Sequence, residues 1–306
     1  MAETIVRAGR PMTTVLVAGG SGDLGARIVQ QLRELGAPPR VLARPGSSAA
    51  KRFDGLEVVE ADYADGAALR RALTGVDVVV SAVSGARSVV VDAQRSLLQA
   101  AIAAGVGRFI PSDYSADFRR IRPGSNRNLE FRREFAAELD AAPIRATSVL
   151  NGAFADMLTG QAPLVLPRLH RVLYWSHPDQ VLDFTTKDDT ARTTAHVALD
   201  PDAPRVVEVA GDRVSARDLA GTASDVTGEP YRLQWAGSVR ALSLIAAGLR
   251  AASRDDTSAF PAWQGMQYLV SMFSGEGQLR HVDNDRYGRL PWTTTRDVLA
   301  AHLQRG

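Results

Sequence analysis

Apolar and polar positions along the first half of the chain switch repeatedly between two periods. Val15, Leu16, Val17 and Ala18 form a short unbroken apolar run of the kind a buried strand needs, and Leu24, Ile28, Gln31, Leu32 and Leu35 follow at helical spacing. Strand-like runs recur at 40–44, 57–62, 77–83 and 108–111, separated by helical patterns at 66–73, 89–104 and 129–139. In the second of these helices Val91, Leu97, Leu98, Ala101 and Ile102 supply the apolar face. Strand and helix in alternation predict an α/β fold with a doubly wound parallel sheet. Ligands of such sheets bind beyond the carboxyl ends of the strands, which directs attention to Arg44, Asp62, Tyr63, residues 81–84 and residues 111–114.

The turn after the first strand is rich in glycine. Gly19, Gly22 and Gly25, with Gly20 in addition, space the stretch Gly19-Gly20-Ser21-Gly22-Asp23-Leu24-Gly25 as GxxGxxG between strand and helix. That arrangement permits a tight turn, close approach of backbone to a pyrophosphate and close packing of the helix on the sheet. Backbone N–H groups at the helix start would face the anion. Arg44 ends the second strand, where an acid would suit the ribose 2′-OH of NAD and an arginine suits a 2′-phosphate, so NADPH is expected in preference to NADH. At the third strand end, Asp62 and Tyr63 are candidates for the adenine, and an ordinary turn acid is the competing reading of Asp62. Ser81, Ala82 and Val83 are small enough to leave space for the ribose or nicotinamide, with Pro111 and Ser112 on the neighbouring loop.

Composition narrows the function classes. A chain of 306 residues, 45% hydrophobic, can bury a large core. Its 36 basic and 34 acidic residues are interspersed, so no direct nucleic-acid partner is expected. There is no cysteine, and His170, His196, His281 and His302 lack metal-ligand spacing, so no metal site is expected. Residues 1–12 read as a flexible extension without a signal-peptide core, and no segment approaches a membrane span; a soluble cytoplasmic protein is expected. Residues 13–150 are assigned to the nucleotide-binding core, and 151–306 to its remaining elements interleaved with a substrate lobe. Asn151 follows the sixth strand and is expected at the cofactor, with Phe154, Met157 and Leu158 beyond it. Tyr174 and Trp175, in a loop-like aromatic stretch with His177, are further candidates to line a flat apolar pocket for a small-molecule substrate. The helical run 239–252, with Leu242, Ile245, Ala246 and Leu249, is apolar enough to pack in the core, cap a pocket or form a homodimer face. Phe260, Trp263, Met266 and Phe273 add further apolar surface.

In this order several motifs resemble one family. The glycine loop, the Ala43-Arg44-Pro45 strand end, Gly107-Arg108-Phe109-Ile110-Pro111-Ser112-Asp113-Tyr114 and Ile144-Arg145-Ala146-Thr147-Ser148-Val149 before Asn151 look like the NmrA-like atypical short-chain dehydrogenase/reductases. Lys187-Asp188-Asp189-Thr190-Ala191-Arg192, Val209-Ala210-Gly211-Asp212 and Asp283-Asn284-Asp285-Arg286-Tyr287 extend the likeness toward the isoflavone reductase-like, or aromatic alcohol reductase, branch. The resemblance implies a Rossmann core with a small C-terminal α/β substrate lobe, NADPH as cofactor and hydride transfer to an aromatic or otherwise conjugated substrate.

Two departures from that family stand out. Counting back from Ile144, the position of the branch's proton-transferring lysine holds Arg132, and the only lysines in the chain are Lys51 and Lys187. Arginine is a poor proton donor, yet its fixed cation can hold an anion or stabilise oxyanion charge. The tyrosine–lysine pair of ordinary short-chain dehydrogenases is missing as well, because Tyr114 is followed four residues later by Phe118. Candidate catalytic groups are therefore Arg132, Tyr114 and His177, with direct solvent protonation as a further route. Two functions follow: an NADPH-dependent reductase, or a non-catalytic NADP(H)-binding sensor of the kind also found among NmrA-like proteins.

Overall fold

The computed structural model describes residues 13–47, 49–158, 164–253 and 258–303. The extension assigned to residues 1–12 lies outside them. Strands β1 (Val15–Ala18), β2 (Arg40–Ala43), β3 (Val58–Glu60), β4 (Val78–Ser81), β5 (Arg108–Ile110) and β6 (Arg145–Ala146) form one parallel sheet in the order β3-β2-β1-β4-β5-β6. Helices α1 (Asp23–Glu34), α2 (Ala49–Arg52), α3 (Gly66–Ala72), α4 (Gln94–Ala103) and α5 (Arg127–Asp140) connect them. The order reverses between β1 and β4, whose neighbouring carboxyl ends carry Gly19 and Ala82. Such a reversal opens a crevice above the sheet.

The two-residue period of a strand explains the layers. In β1, Val15 and Val17 face α1 residues Ile28, Val29 and Leu32, with Ala191, Ala195 and Ala198 packed alongside. Leu16 and Ala18 face the opposite layer with Leu69, Leu73, Leu97, Phe109 and Phe135. Each face is covered by helices, so the strand reads as a continuous apolar run.

The later strands are β7 (Ser148–Leu150), β8 (Ala153–Phe154), β9 (Val165–Leu166), β10 (Arg171–Tyr174), β11 (Leu182–Thr185), β12 (Val206–Glu208), β13 (Asp212–Val214) and β14 (Arg232–Trp235). The later helices are α6 (Lys187–Leu199), α7 (Ala216–Thr227), α8 (Val239–Ala252), α9 (Ala262–Phe273) and α10 (Thr295–Leu303). β7 pairs in parallel with β12, while β13-β11-β8 and β14-β10-β9 form two small sheets. Around them Leu164, Val172, Phe184, Leu219 and Phe273 build a separate apolar cluster. The small residues on α6 let that helix lie against α1 in the main sheet's layer. No described helix is long and apolar enough to cross a membrane.

Three expectations change in detail. The helix expected over 89–104 begins as a π-helical turn, Ser88–Ala93, before α4. Beside it the buried Gln94 amide donates to the Val90 carbonyl while accepting the Ser112 N–H at 2.9 Å. The amide thus ties this helix to the β5 loop. Helix α8 buries Leu242 and Ala246, but leaves Ile245 at 54% and Leu249 at 45% exposure. In the aromatic stretch expected as loop, Tyr174 ends strand β10 and Trp175 is buried edge-on to Phe273, with centroids 5.3 Å apart.

Candidate cofactor and substrate site

Backbone proximity defines the glycine turn. Gly19 has φ +76°, and a Cβ there would sit 2.8 Å from the Ala82 carbonyl oxygen. A Cβ on Gly25 would lie 2.2 Å from the Gly19 carbonyl oxygen, so the first turn of α1 rests directly on the loop. Gly22 caps α1 without a side-chain hydrogen bond. The N–H groups of the first turn are therefore available to an outside acceptor, with Ser21, Gly22 and Asp23 exposed around them. Leu24, on the same turn, is partly buried against the core.

An acid at this helix start would repel a phosphate unless its charge were met. The Lys187 ammonium binds the Asp23 carboxylate at 2.6 Å and the Arg27 guanidinium binds it at 2.9 Å. Lys187 first, and Arg27 after it, hold this carboxyl below the usual carboxylate range. The pairing also removes Lys187 from the proton-donor question. Lys51 stands exposed on α2, away from the α5 position where the resemblance places its lysine.

Basic side chains gather beyond β2. Arg44 is exposed just past the strand end, makes no ion pair among the described residues and acts electrostatically on the Tyr63 phenol. Arg52 donates to the Ser21 carbonyl at 2.6 Å, which brings a second guanidinium to the glycine loop. Sequence reasoning missed Arg52; the Lys51-Arg52 doublet shortly after Arg44 was the available signal. Asp62 is exposed and accepts the Ala64 N–H at 2.9 Å, the geometry of a turn acid. Tyr63 packs against the core, and burial pushes its phenol up to about 12.

Nearer the sheet centre, polar groups are buried without partners. Ser81 is fully buried at the end of β4, and its hydroxyl has no hydrogen-bond partner among the described residues. The hydroxyl of Ser112 donates to the Val83 carbonyl at 2.6 Å, joining the β4 and β5 loops beside Ala82 and Pro111. Asn151 is also fully buried, and neither its amide nitrogen nor its amide oxygen has a partner. Buried amides left unpaired cost about 1–3 kcal/mol, so an orphan at a strand end suits a ligand able to satisfy it. The open first turn of α1, the two guanidiniums and this amide match the phosphate and amide chemistry of a nicotinamide dinucleotide.

Helix α5 connects parallel neighbours β5 and β6, so its N-terminal turns stand level with the carboxyl ends of the strands. Arg132 lies in these turns on the stripe shared by buried Asn128, Phe135, Ala136 and Leu139. The helix thereby holds this cation partly buried on its sheet-facing side. Beneath it is Asp113, fully buried, whose Oδ2 accepts the Ser148 hydroxyl at 2.7 Å while Oδ1 has no partner. Arg205 donates to Ser148 Oγ at 2.8 Å and to Asp140 at 2.6 Å, extending the network toward the surface. Burial pushes the Asp113 carboxyl up to about 6, against the pull of the Ser148 bond and the Arg132 charge. Asp113 was another omission, in a segment weighed for Pro111, Ser112 and Tyr114.

The remaining candidates do not converge equally. Tyr114 is buried among Ile110, Val149 and Ala191, and burial drives its phenol pKa upward, opposite to the lowering that proton donation would need. His177 is exposed beside Asp179 and Arg217. Phe154 packs partly against the main core, Met157 is partly buried, and Tyr174 is half-buried at the end of β10. Trp175 belongs to the apolar cluster of the small sheets, so its ring serves packing there.

Comparison with known proteins agrees with this fold. The chain matches the NmrA-like family over residues 11–254. It is 33% identical to pinoresinol reductase 1 of Arabidopsis thaliana over 207 residues, covering 62% of this chain and 65% of that protein. It is 32% identical to a bifunctional pinoresinol-lariciresinol reductase of Linum perenne over 202 residues, 59% of this chain and 63% of the other. The matched stretch thus spans just under two thirds of these relatives. In three dimensions the chain is similar to AtPrR2 with NADP+ and (+)pinoresinol, at TM-score 0.82 and 24% identity, covering 96% of this chain and 100% of that one. It also resembles isoflavone reductase, at TM-score 0.79 and 18% identity, covering 95% and 99%. These last two likenesses speak to the fold.

Two measurements probe the site. Arg44→Ala is expected to weaken NADPH binding by roughly 1.5–3 kcal/mol and to leave NADH nearly unchanged, read by fluorescence titration of the reduced nicotinamide. An equal loss for both would remove Arg44 from the 2′-phosphate. For Asp113 the folded state holds the proton more tightly than the unfolded chain does, so its contribution to stability is fully present below the ordinary carboxylate range and is lost as pH rises through about 6. In thermal melts across pH the parent should therefore lose stability relative to Asp113→Asn as pH rises toward 6; parallel profiles would contradict it.

Proposed function

The chain belongs to the NmrA-like family, and from that premise we propose that it is an NADPH-dependent reductase acting on an aromatic or conjugated small molecule. The observation that carries this reading is the coincidence of an uncapped, close-packed glycine turn with Arg44 and Arg52 at one end and the orphaned Asn151 amide at the other. NADPH, when bound, supplies the hydride. The first turn of α1 holds the pyrophosphate, Arg44 and Arg52 meet the 2′-phosphate, and Asn151 with Ser81 offers polar contacts toward the nicotinamide. Pinoresinol and lariciresinol reductases among the relatives support an aromatic substrate class. Phe154 and Met157, which follow β7, and Tyr174 are the apolar candidates to receive it.

Proton delivery departs from a lysine mechanism. Arg132 at the crevice stabilises negative charge developing on the substrate without surrendering a proton, and the proton then comes from solvent. Exposed Leu244, Ile245 and Leu249 on α8 offer the face for a homodimer. The replacement of lysine by Arg132 favours one second reading, an NADP(H)-binding sensor without turnover.

Absorbance of the reduced nicotinamide separates the two. Incubated with NADPH and a panel of aromatic enones, conjugated alkenes and benzylic ethers, each offered both as the neutral compound and as a carboxylate-bearing analogue, the protein should oxidise NADPH in a substrate-dependent manner. Tight cofactor binding with no oxidation across the panel would contradict the reductase and support the sensor.

A further inference from the structure

Arginines near the β5 loop are mostly consumed by structure. Arg133 donates to the Phe118 and Ile121 carbonyls at 2.9 and 2.6 Å, Arg119 is ion-paired with Asp117 and Glu208, and Arg108 grips the Ala198 and Asp200 carbonyls. Arg132 differs from them. Its one hydrogen bond among the described residues runs to the Asn128 carbonyl of its own helix at 3.1 Å, its Nε is buried with no partner, and it forms no ion pair. Partial burial makes such a cation costly to leave unmatched. Asp113 feels its charge, but the free Oδ1 of that carboxyl is not bonded to it.

Placement turns this unmatched charge into a recognition element. Arg132 stands in the second turn of α5 on the sheet-facing stripe, level with the carboxyl ends of β4 and β5 where the reacting end of a dinucleotide is proposed to lie. A planar guanidinium with most of its donors open matches a carboxylate, which can accept two parallel N–H bonds. A neutral ether or phenol offers less to the same fork. Resting on the reductase reading, we infer that the substrate of this protein is an anionic aromatic or conjugated compound, a carboxylate held by Arg132 beside the nicotinamide. Arg132 is then the residue that sets substrate class, and its effect belongs to binding as well as to charge stabilisation.

Cinnamate and methyl cinnamate, titrated calorimetrically into the NADP+-loaded protein, test this directly because they share one conjugated skeleton and end in a carboxylate or in a neutral methyl ester. Cinnamate is expected to bind at least tenfold more tightly than its ester. Arg132→Gln should abolish that preference while NADP+ affinity stays as in the parent, and Arg132→Lys should restore part of it because the cation returns without the fork. Equal binding of acid and ester, no binding of cinnamate, or an unchanged preference in Arg132→Gln would overturn the inference. Failure of the reductase reading looks different: NADP+ itself would not bind, or NADPH would survive every substrate in the oxidation panel.

Discussion

Everything proposed for this molecule depends on how closely α1 approaches the glycine turn. At Gly25 the helix leaves no space for a Cβ against the Gly19 carbonyl, and at Gly19 the loop presses on the Ala82 backbone from β4. Those two contacts fix the first turn of α1 at the point where the strand order reverses. Because Gly22 brings no side chain to cap the turn, its N–H groups face the crevice instead of the protein. A larger residue at either position would separate helix from loop and move the donors out of line. Binding geometry here follows from packing at backbone level.

Charge is arranged around that turn with corresponding economy. Asp23 would oppose an anion, yet Lys187 and Arg27 bind it, and Asp188 in turn binds Arg27. The same contacts fasten α6 to α1, so the element that neutralises the site also braces it. Arg44 and Arg132 form no ion pair among the described residues, and on the proposed reading both meet ligands. Their roles would differ: Arg44 reads a cofactor phosphate, whereas Arg132 replaces a proton-transferring lysine with a permanent cation. A chain whose only lysines are Lys51 and Lys187, the second committed to Asp23, has little other route to lysine chemistry.

The main sheet was legible in the sequence because both its faces are covered, and uninterrupted runs such as Val15–Ala18 have few other interpretations. The glycine turn was legible because its geometry is local to one strand–turn–helix unit. Features that depend on distant partners were harder to see. The Gln94 amide meets Ser112 on a loop distant in sequence, and Asp113 gains its character from Ser148 and burial. Trp175 looked like a pocket ring until Phe273, far along the chain, claimed it for packing. Tyr114 looked available because loop position was visible in the sequence while the core around it was not. On α8, periodicity showed an apolar helix but could not show which of Leu242 and Ile245 would be covered.

Calorimetric titration of the purified protein with NADPH and with NADH tests the central claim most directly. The account predicts saturable one-to-one binding of NADPH, tighter than NADH by tenfold or more, the scale of a lost charged hydrogen bond to the 2′-phosphate. Failure to bind either dinucleotide, or equal affinity for both, would contradict the cradle formed by the glycine turn and Arg44.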